Sequence, residues 1–225
     1  MNFDKSNKST WVLHCLLLYS PFLLETFIVA PLMLGDEIEP LWGALFWVHT
    51  YITYGIVCLI HSKWRKKIDC KIVLKPDKCD FKQFFLAVLI GVIGGYLADI
   101  ILWHGIVSPM IYRDLVDDFS IKPVWLGAGT FVMQYIYYIF EFTVVAFMVD
   151  CAQKTSIKLG WTQKIPWGGV FIAVTWGFGH YFSKGTLVNG LHAMVLCIFI
   201  GLAYMLPGKK PIYAWLAVAA SYWIA

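Results

Sequence analysis

The chain has 225 residues, of which 60% are hydrophobic and only 14% charged, against roughly 25% charged in an ordinary soluble domain. That balance excludes a water-soluble globular protein and predicts an all-α integral membrane protein, a polytopic helical bundle forming a single domain over residues 1–225. The net charge of +4 reads as a topology signal, and no nucleic-acid partner is expected.

A helix needs about 20 apolar residues to cross the ~30 Å hydrocarbon core. Six or seven stretches qualify as transmembrane helices, near 11–34, 42–61, 84–107, 125–149, 167–182, 187–206 and 212–225, the last only 14 residues long. The first contains His14, Pro21, Glu25 and Pro31 and runs into the acidic "GDEIEP", which reads as a retained helix and not as a cleaved signal peptide. The second contains His49 and is followed at 63–67 by "KWRKK"; orientation accounts for this run, and such a cluster also attracts anionic membrane lipid. The third places Asp99 after "GVIGGY", where glycines allow a neighbouring helix to approach and accept or donate a hydrogen bond, with His104 near its end. Residues 62–83, 108–124 and 150–166 read as the longest loops, too short to fold alone. His14, His104 and Asp150 lie near membrane boundaries and are expected to reach water by snorkelling.

Lysine and arginine collect in short cytoplasmic loops. With the N-terminus cytoplasmic, Lys5, Lys8, the basic residues from Lys63 to Lys82, Lys154, Lys158, Lys164, Lys209 and Lys210 fall inside, which is 15 of the 18 positive residues. Arg113, Lys122 and Lys184 fall outside, with Asp36, Glu37, Glu39, Asp114, Asp117 and Asp118. The asymmetry points to a bacterial plasma membrane and leaves an organelle membrane open. Six cysteines, at 15, 58, 70, 79, 151 and 197, lie in spans or on the cytoplasmic side, so no disulfide is expected. Cys70 and Cys79 lack a second Cys or His pair at zinc spacing.

Ionisable groups inside a bilayer cost about 2.5–3.5 kcal/mol each at the helix centre on the insertion scale, so each is a functional candidate and needs a partner. Glu141 has the strongest surroundings. In "QYIYYIFEFTVVAF", Gln134, Tyr138 and Glu141 stand at i, i+4 and i+7, so amide, phenol and carboxyl share one helical face and form a polar seam aimed into the bundle. On the fifth stretch, "WGFGHYF" puts Trp176 and His180 four apart on one face. On the sixth, Asn189 and His192 are three apart, and the short "SKGT" connection makes these two helices antiparallel neighbours, so that His180 and His192 can border one cavity. On these bounds Glu141 lies deep and His180 near the external end of its helix. Two His and a Glu would supply three metal ligands, but the spacing is not that of H-E-x-x-H and no fourth ligand is evident; neither a metal nor another cofactor is expected.

A Glu inside one helix, an aromatic-x-x-x-His at the end of the next, an apolar helix closing with "FIGLAYML", a "PGKKP" turn and a final helix resemble the CPBP family, the CAAX prenyl endopeptidases and bacteriocin-processing membrane proteins, over roughly residues 130–225. Members usually show E-E-x-x-x-R, F-x-x-x-H and H-x-x-x-N. Here the first motif reduces to Glu141 with Val145 in the place of the Arg, the second is Trp176-x-x-x-His180, and "AWLAVAASYWIA" contains no third motif. The resemblance implies a membrane-embedded enzyme acting on a peptide or acyl bond of a membrane-bound peptide or lipoprotein, by proteolysis or by acyl transfer such as lipoprotein N-acylation. Glu141 would be the base and His180 its partner or oxyanion donor, with Asn189, His192, Tyr138, Trp176 and Gln134 around the substrate. The missing motifs leave open a non-catalytic membrane protein of immunity or partner-binding type. Asp99, Glu141 and His180 as a relay leave open a proton-coupled transporter.

Overall fold

A computed structural model describes residues 8–29, 40–64, 80–121 and 123–224. The described residues are helical with short connections, and none lies in a strand. In chain order the helices are α1 (Lys8–Leu24), which continues as a π-helical turn (Glu25–Val29), α2 (Pro40–Trp64), α3 (Phe81–Trp103), α4 (Met110–Ile121) and α5 (Val124–Lys158). Then follow α6 (Trp167–Ile172), a second π-helical turn (Ala173–Gly177), α7 (Phe178–Lys184), α8 (Leu187–Met205) and α9 (Pro211–Trp223). Four segments among the described residues are long and apolar enough to cross a membrane: Trp11–Ile28, Phe81–Trp103, Val124–Lys158 and Leu187–Met205. The protein is therefore an integral membrane protein by length and composition. Lys5, Asp36, Glu37, Glu39, Lys122, Cys70, Cys79 and most of the basic run at 63–67 lie outside the described residues.

Helix α5 is the axis of the bundle, with α1, α2, α4, α6 and α9 packed along it. Its 35 residues correspond to about 52 Å at 1.5 Å per residue, more than the hydrocarbon thickness. Residues 150–158, expected as loop, continue this helix. What holds them is burial: Asp150 is 1% exposed, accepts from the Tyr204 hydroxyl at 2.6 Å and pairs with Lys154 at 2.8 Å. Gln153 donates to the Ile165 carbonyl at 3.2 Å and accepts from the Gly168 backbone N–H at 3.0 Å, which clamps the following turn to α5. The expectation that Asp150 snorkels to water is thus corrected, and so is that for His14, which is 1% exposed with its Nε2 2.6 Å from Nδ1 of His61. Both groups found tertiary partners that no boundary argument could supply. His104 is exposed and closes α3 in the left-handed conformation, φ 55°.

Helix α3 starts where the Asp80 side chain accepts from the Lys82 backbone N–H at 3.1 Å. Its buried face is Ala87, Gly91, Gly94, Gly95, Ala98 and Asp99, small residues that admit α9 and α8. A Cβ on Gly91 would stand 2.3 Å from the Ala217 carbonyl oxygen, so the α3–α9 crossing exists only because there is none. Residues 108–124, expected as a loop, are mostly α4, an amphipathic helix exposing Ile111, Tyr112, Leu115 and Val116.

Two of the helices are interrupted. In α1, Pro21 cannot donate to the Leu17 carbonyl, which instead accepts from the Ser20 hydroxyl at 2.7 Å, and the helix widens one turn later at Glu25. In the segment α6–α7 the π turn adds a residue to the helical register between Ala173 and Gly177. The connections sort to two ends. Gln83 meets Tyr213 (2.6 Å) and Lys209 meets Gln163 (3.3 Å) at one, whereas Phe27 stacks near Phe182 (5.4 Å) at the other.

Candidate functional site

The polar seam on α5 forms as its spacing predicts. The Gln134 amide donates to the Tyr138 hydroxyl at 2.6 Å, and Glu141, one turn further, is 5% exposed. Glu141 sits midway along α5, far from either end of the helix. Its Oε1 accepts from the Trp176 indole Nε1–H at 2.9 Å. Trp176 lies within the π turn Ala173–Gly177.

His180 follows one turn later and is oriented twice by the same residue. Its Nδ1 is 2.9 Å from the Trp176 carbonyl, and the two rings meet edge-on with centroids 4.8 Å apart. A carbonyl only accepts, so Nδ1 carries the proton and Nε2 keeps its lone pair for another partner. The depth mismatch expected between Glu141 and His180 is bridged: Trp176 is bonded to both, through its indole and its carbonyl.

A second carboxylate joins this site from α1, far along the chain from Glu141 and His180. Glu25, on the π turn after α1, accepts from the Tyr54 hydroxyl at 2.6 Å and from the Tyr137 hydroxyl at 3.1 Å. Tyr137 also reaches the Glu141 carboxyl, so one phenol lies between the two acids. Glu25, Glu141, His180, Gln134, Tyr138 and Trp176 line a single cavity of about 340 Å³, with Lys184 and Tyr222 on its wall. Sequence reasoning ranked Glu25 below Glu141 and passed over Tyr137. The signal for Tyr137 was present, since it stands four residues before Glu141 on the same helix.

Asn189 and His192 do not reach this cavity. They line a neighbouring one of about 330 Å³ together with Asp99, Trp103 and Arg113. His192 Nε2 lies 2.8 Å from Asp99 Oδ1, and Asp99 Oδ2 accepts from the Val107 backbone N–H at 3.2 Å, so Asp99 does bond a neighbouring helix as its glycine-rich setting predicts. The two cavities share Met110, His180, Lys184 and Tyr222. His180 therefore stands between a cavity that holds Glu25 and Glu141 with several phenols and one that holds Asp99, His192, Asn189 and Arg113, with Lys184 on the wall of both. The last helix, α9, supplies Ser221 to the second cavity and Tyr222 to both.

Among the described residues no group of three His, Cys, Asp or Glu side chains is placed to hold a metal ion. Cys15 and Cys151 bring their sulfurs to 3.0 Å, away from both cavities, where they tie α1 to α5. Compared with known proteins, the chain matches no family model, and no curated protein and no solved structure is significantly similar to it.

Proposed function

We propose that this protein is a membrane-embedded enzyme that cleaves or transfers a peptide or acyl bond of a membrane-bound peptide or lipoprotein. The observation that carries this reading is the convergence of Glu141, Glu25 and His180 on one cavity inside a helical bundle. Glu141, held by the Trp176 indole, acts as general base toward water or an amine. His180, with its proton fixed on Nδ1, takes up or relays the abstracted proton at Nε2. Tyr222, whose hydroxyl has no hydrogen bond among the described residues, donates to the oxyanion in the place of the absent His-x-x-x-Asn. Glu25 supplies from α1 the second acid that the reduced first motif lacks.

In this reading the chain is a divergent member of the CPBP family with six or seven spans, its N-terminus cytoplasmic, in a bacterial plasma membrane. It uses no metal or other cofactor. Glu141→Gln and His180→Ala, expressed singly in the native host, are expected to lower the amount of mass-shifted lipoprotein or peptide product about 10²-fold or more while helix content stays that of wild type. If both variants fold and every product mass remains that of wild type, the reading fails and the non-catalytic alternative stands.

A proton-coupled transporter is the second reading, and one observation favours it: both π turns, at Glu25–Val29 and Ala173–Gly177, border the same cavity, as broken helices do in transporters. Proton uptake by vesicles containing the purified protein, lost in Glu25→Gln and Glu141→Gln alike, would establish it.

A further inference from the structure

The second cavity has a charge pattern that the proposed chemistry leaves unused. Arg113 reaches it from α4 and Lys184 from the end of α7. Neither side chain makes an ion pair among the described residues. The one carboxylate on the wall, Asp99, has both oxygens engaged, Oδ1 by His192 and Oδ2 by the Val107 N–H. Arg113 and Lys184, neither in a close ion pair and Lys184 also within the field of Glu25 and Glu141, stand beside the Asn189 amide and give this wall a positive surface that favours an oxyanion. A guanidinium with an ammonium fits phosphate oxygens, the first by its fork and the second as a point charge.

The larger apolar side chains of the wall are Trp103, Val107, Met110 and Leu196, beside the polar His180, Ser221 and Tyr222. Trp103 is half-exposed at the last turn of α3, where aromatic side chains mark the headgroup level of a bilayer. Arg113 lies on amphipathic α4 between exposed Tyr112 and Leu115, the pattern of a helix lying in the interface. A soluble anion needs no such wall, whereas an amphiphile needs both halves.

We propose that this cavity binds the phosphodiester headgroup of a membrane phospholipid through Arg113 and Lys184, its acyl chains leaving along the Trp103–Leu196 side. The lipid then sits across His180 from Glu141 as a second substrate component or an activating ligand, a placement that extends the proposed activity, whereas the binding itself rests on the cavity alone.

The purified full chain in detergent is mixed with phosphatidylglycerol, and bound lipid is counted by native mass spectrometry, with diacylglycerol and inorganic phosphate as separate arms. One phosphatidylglycerol per chain is expected, no diacylglycerol, and no displacement by millimolar phosphate. Arg113→Gln is expected to weaken retention about tenfold, and Arg113→Gln/Lys184→Gln about a further tenfold. Arg113→Lys/Lys184→Arg keeps both charges and retains the lipid; if the double glutamine variant loses helix content, the single Arg113→Gln variant decides. Equal retention by Arg113→Gln and wild type overturns the proposal, as does equal binding of diacylglycerol. Displacement by free phosphate replaces the lipid with a soluble anion and overturns it too. Glu141→Gln, which leaves this cavity intact, retains the lipid whether or not it forms product, so failure of the enzymatic reading is seen separately.

Discussion

Helix α5 carries two buried acids, Glu141 and Asp150, little more than two turns apart, and their surroundings are opposite in kind. Around Asp150 each oxygen has its own donor, the Tyr204 hydroxyl on one and the Lys154 ammonium on the other, and Gln153 next to it spends its whole amide on the turn that follows. Glu141 is given one strong donor, the Trp176 indole, and a phenol shared with Glu25, and it borders a cavity of about 340 Å³. A charged group in a membrane bundle is therefore not by itself a site. One whose hydrogen-bonding capacity is consumed by protein fastens helices together; one that keeps capacity facing an open volume can work on something that enters it.

The largest expected effect that would break this contrast is on activity. Glu141→Gln should lower product formation about 10²–10³-fold, the cost of losing one electrostatic or proton-transfer element, with an unfolding midpoint close to wild type. Asp150→Ala should do the reverse. It removes the bonds that Asp150 accepts from the Tyr204 hydroxyl and the Lys154 ammonium and destabilises by about 2–3 kcal/mol, read by denaturant unfolding in micelles, while activity per folded molecule is kept. If the folded fraction of Asp150→Ala is inactive, the two acids are not separable in role.

Trp176→Phe removes the indole donor and retains most of the packing. Interhelical hydrogen bonds in membrane proteins average about 0.6 kcal/mol and reach about 1.7, so a loss near the upper end is expected for this fully buried bond, with activity falling about tenfold because the acid is no longer aimed. Smallest is Tyr137→Phe, expected to cost about 0.6 kcal/mol in the unfolding measurement. An activity loss in Tyr137→Phe as deep as that of Glu141→Gln would sharpen the contrast, by making the phenol between the two acids part of the proton path.

How much of this was legible in the sequence differs along the chain for a physical reason. The seam of Gln134, Tyr138 and Glu141 is a local feature: i, i+4 and i+7 share a face in any α-helix, and Gln134 does donate to Tyr138. The Trp176–His180 pair is also four apart, and its bonding was to be expected from spacing. Glu25 was not, because it enters the site from a helix more than a hundred residues away along the chain, at a π turn that no periodicity announces. His14 and His61 meet across α1 and α2 for the same reason unread, and the continuation of α5 past Asp150 was missed because its polar residues are satisfied by α8 and by the turn before α6.

By itself the sequence determined the solvent of this protein and its inventory of intramembrane acids and bases. Sixty per cent hydrophobic residues in long runs leave a helical membrane bundle as the structure that satisfies the backbone. Tertiary structure decided which of those groups meet. Gly91 lets α9 close on α3, the π turn contains the Trp176 that bonds to Glu141, and Glu25 arrives from α1. Local spacing fixes which side chains share a helix face, whereas helix crossings and breaks in register fix which faces share a cavity, and only the second makes a carboxylate part of a site.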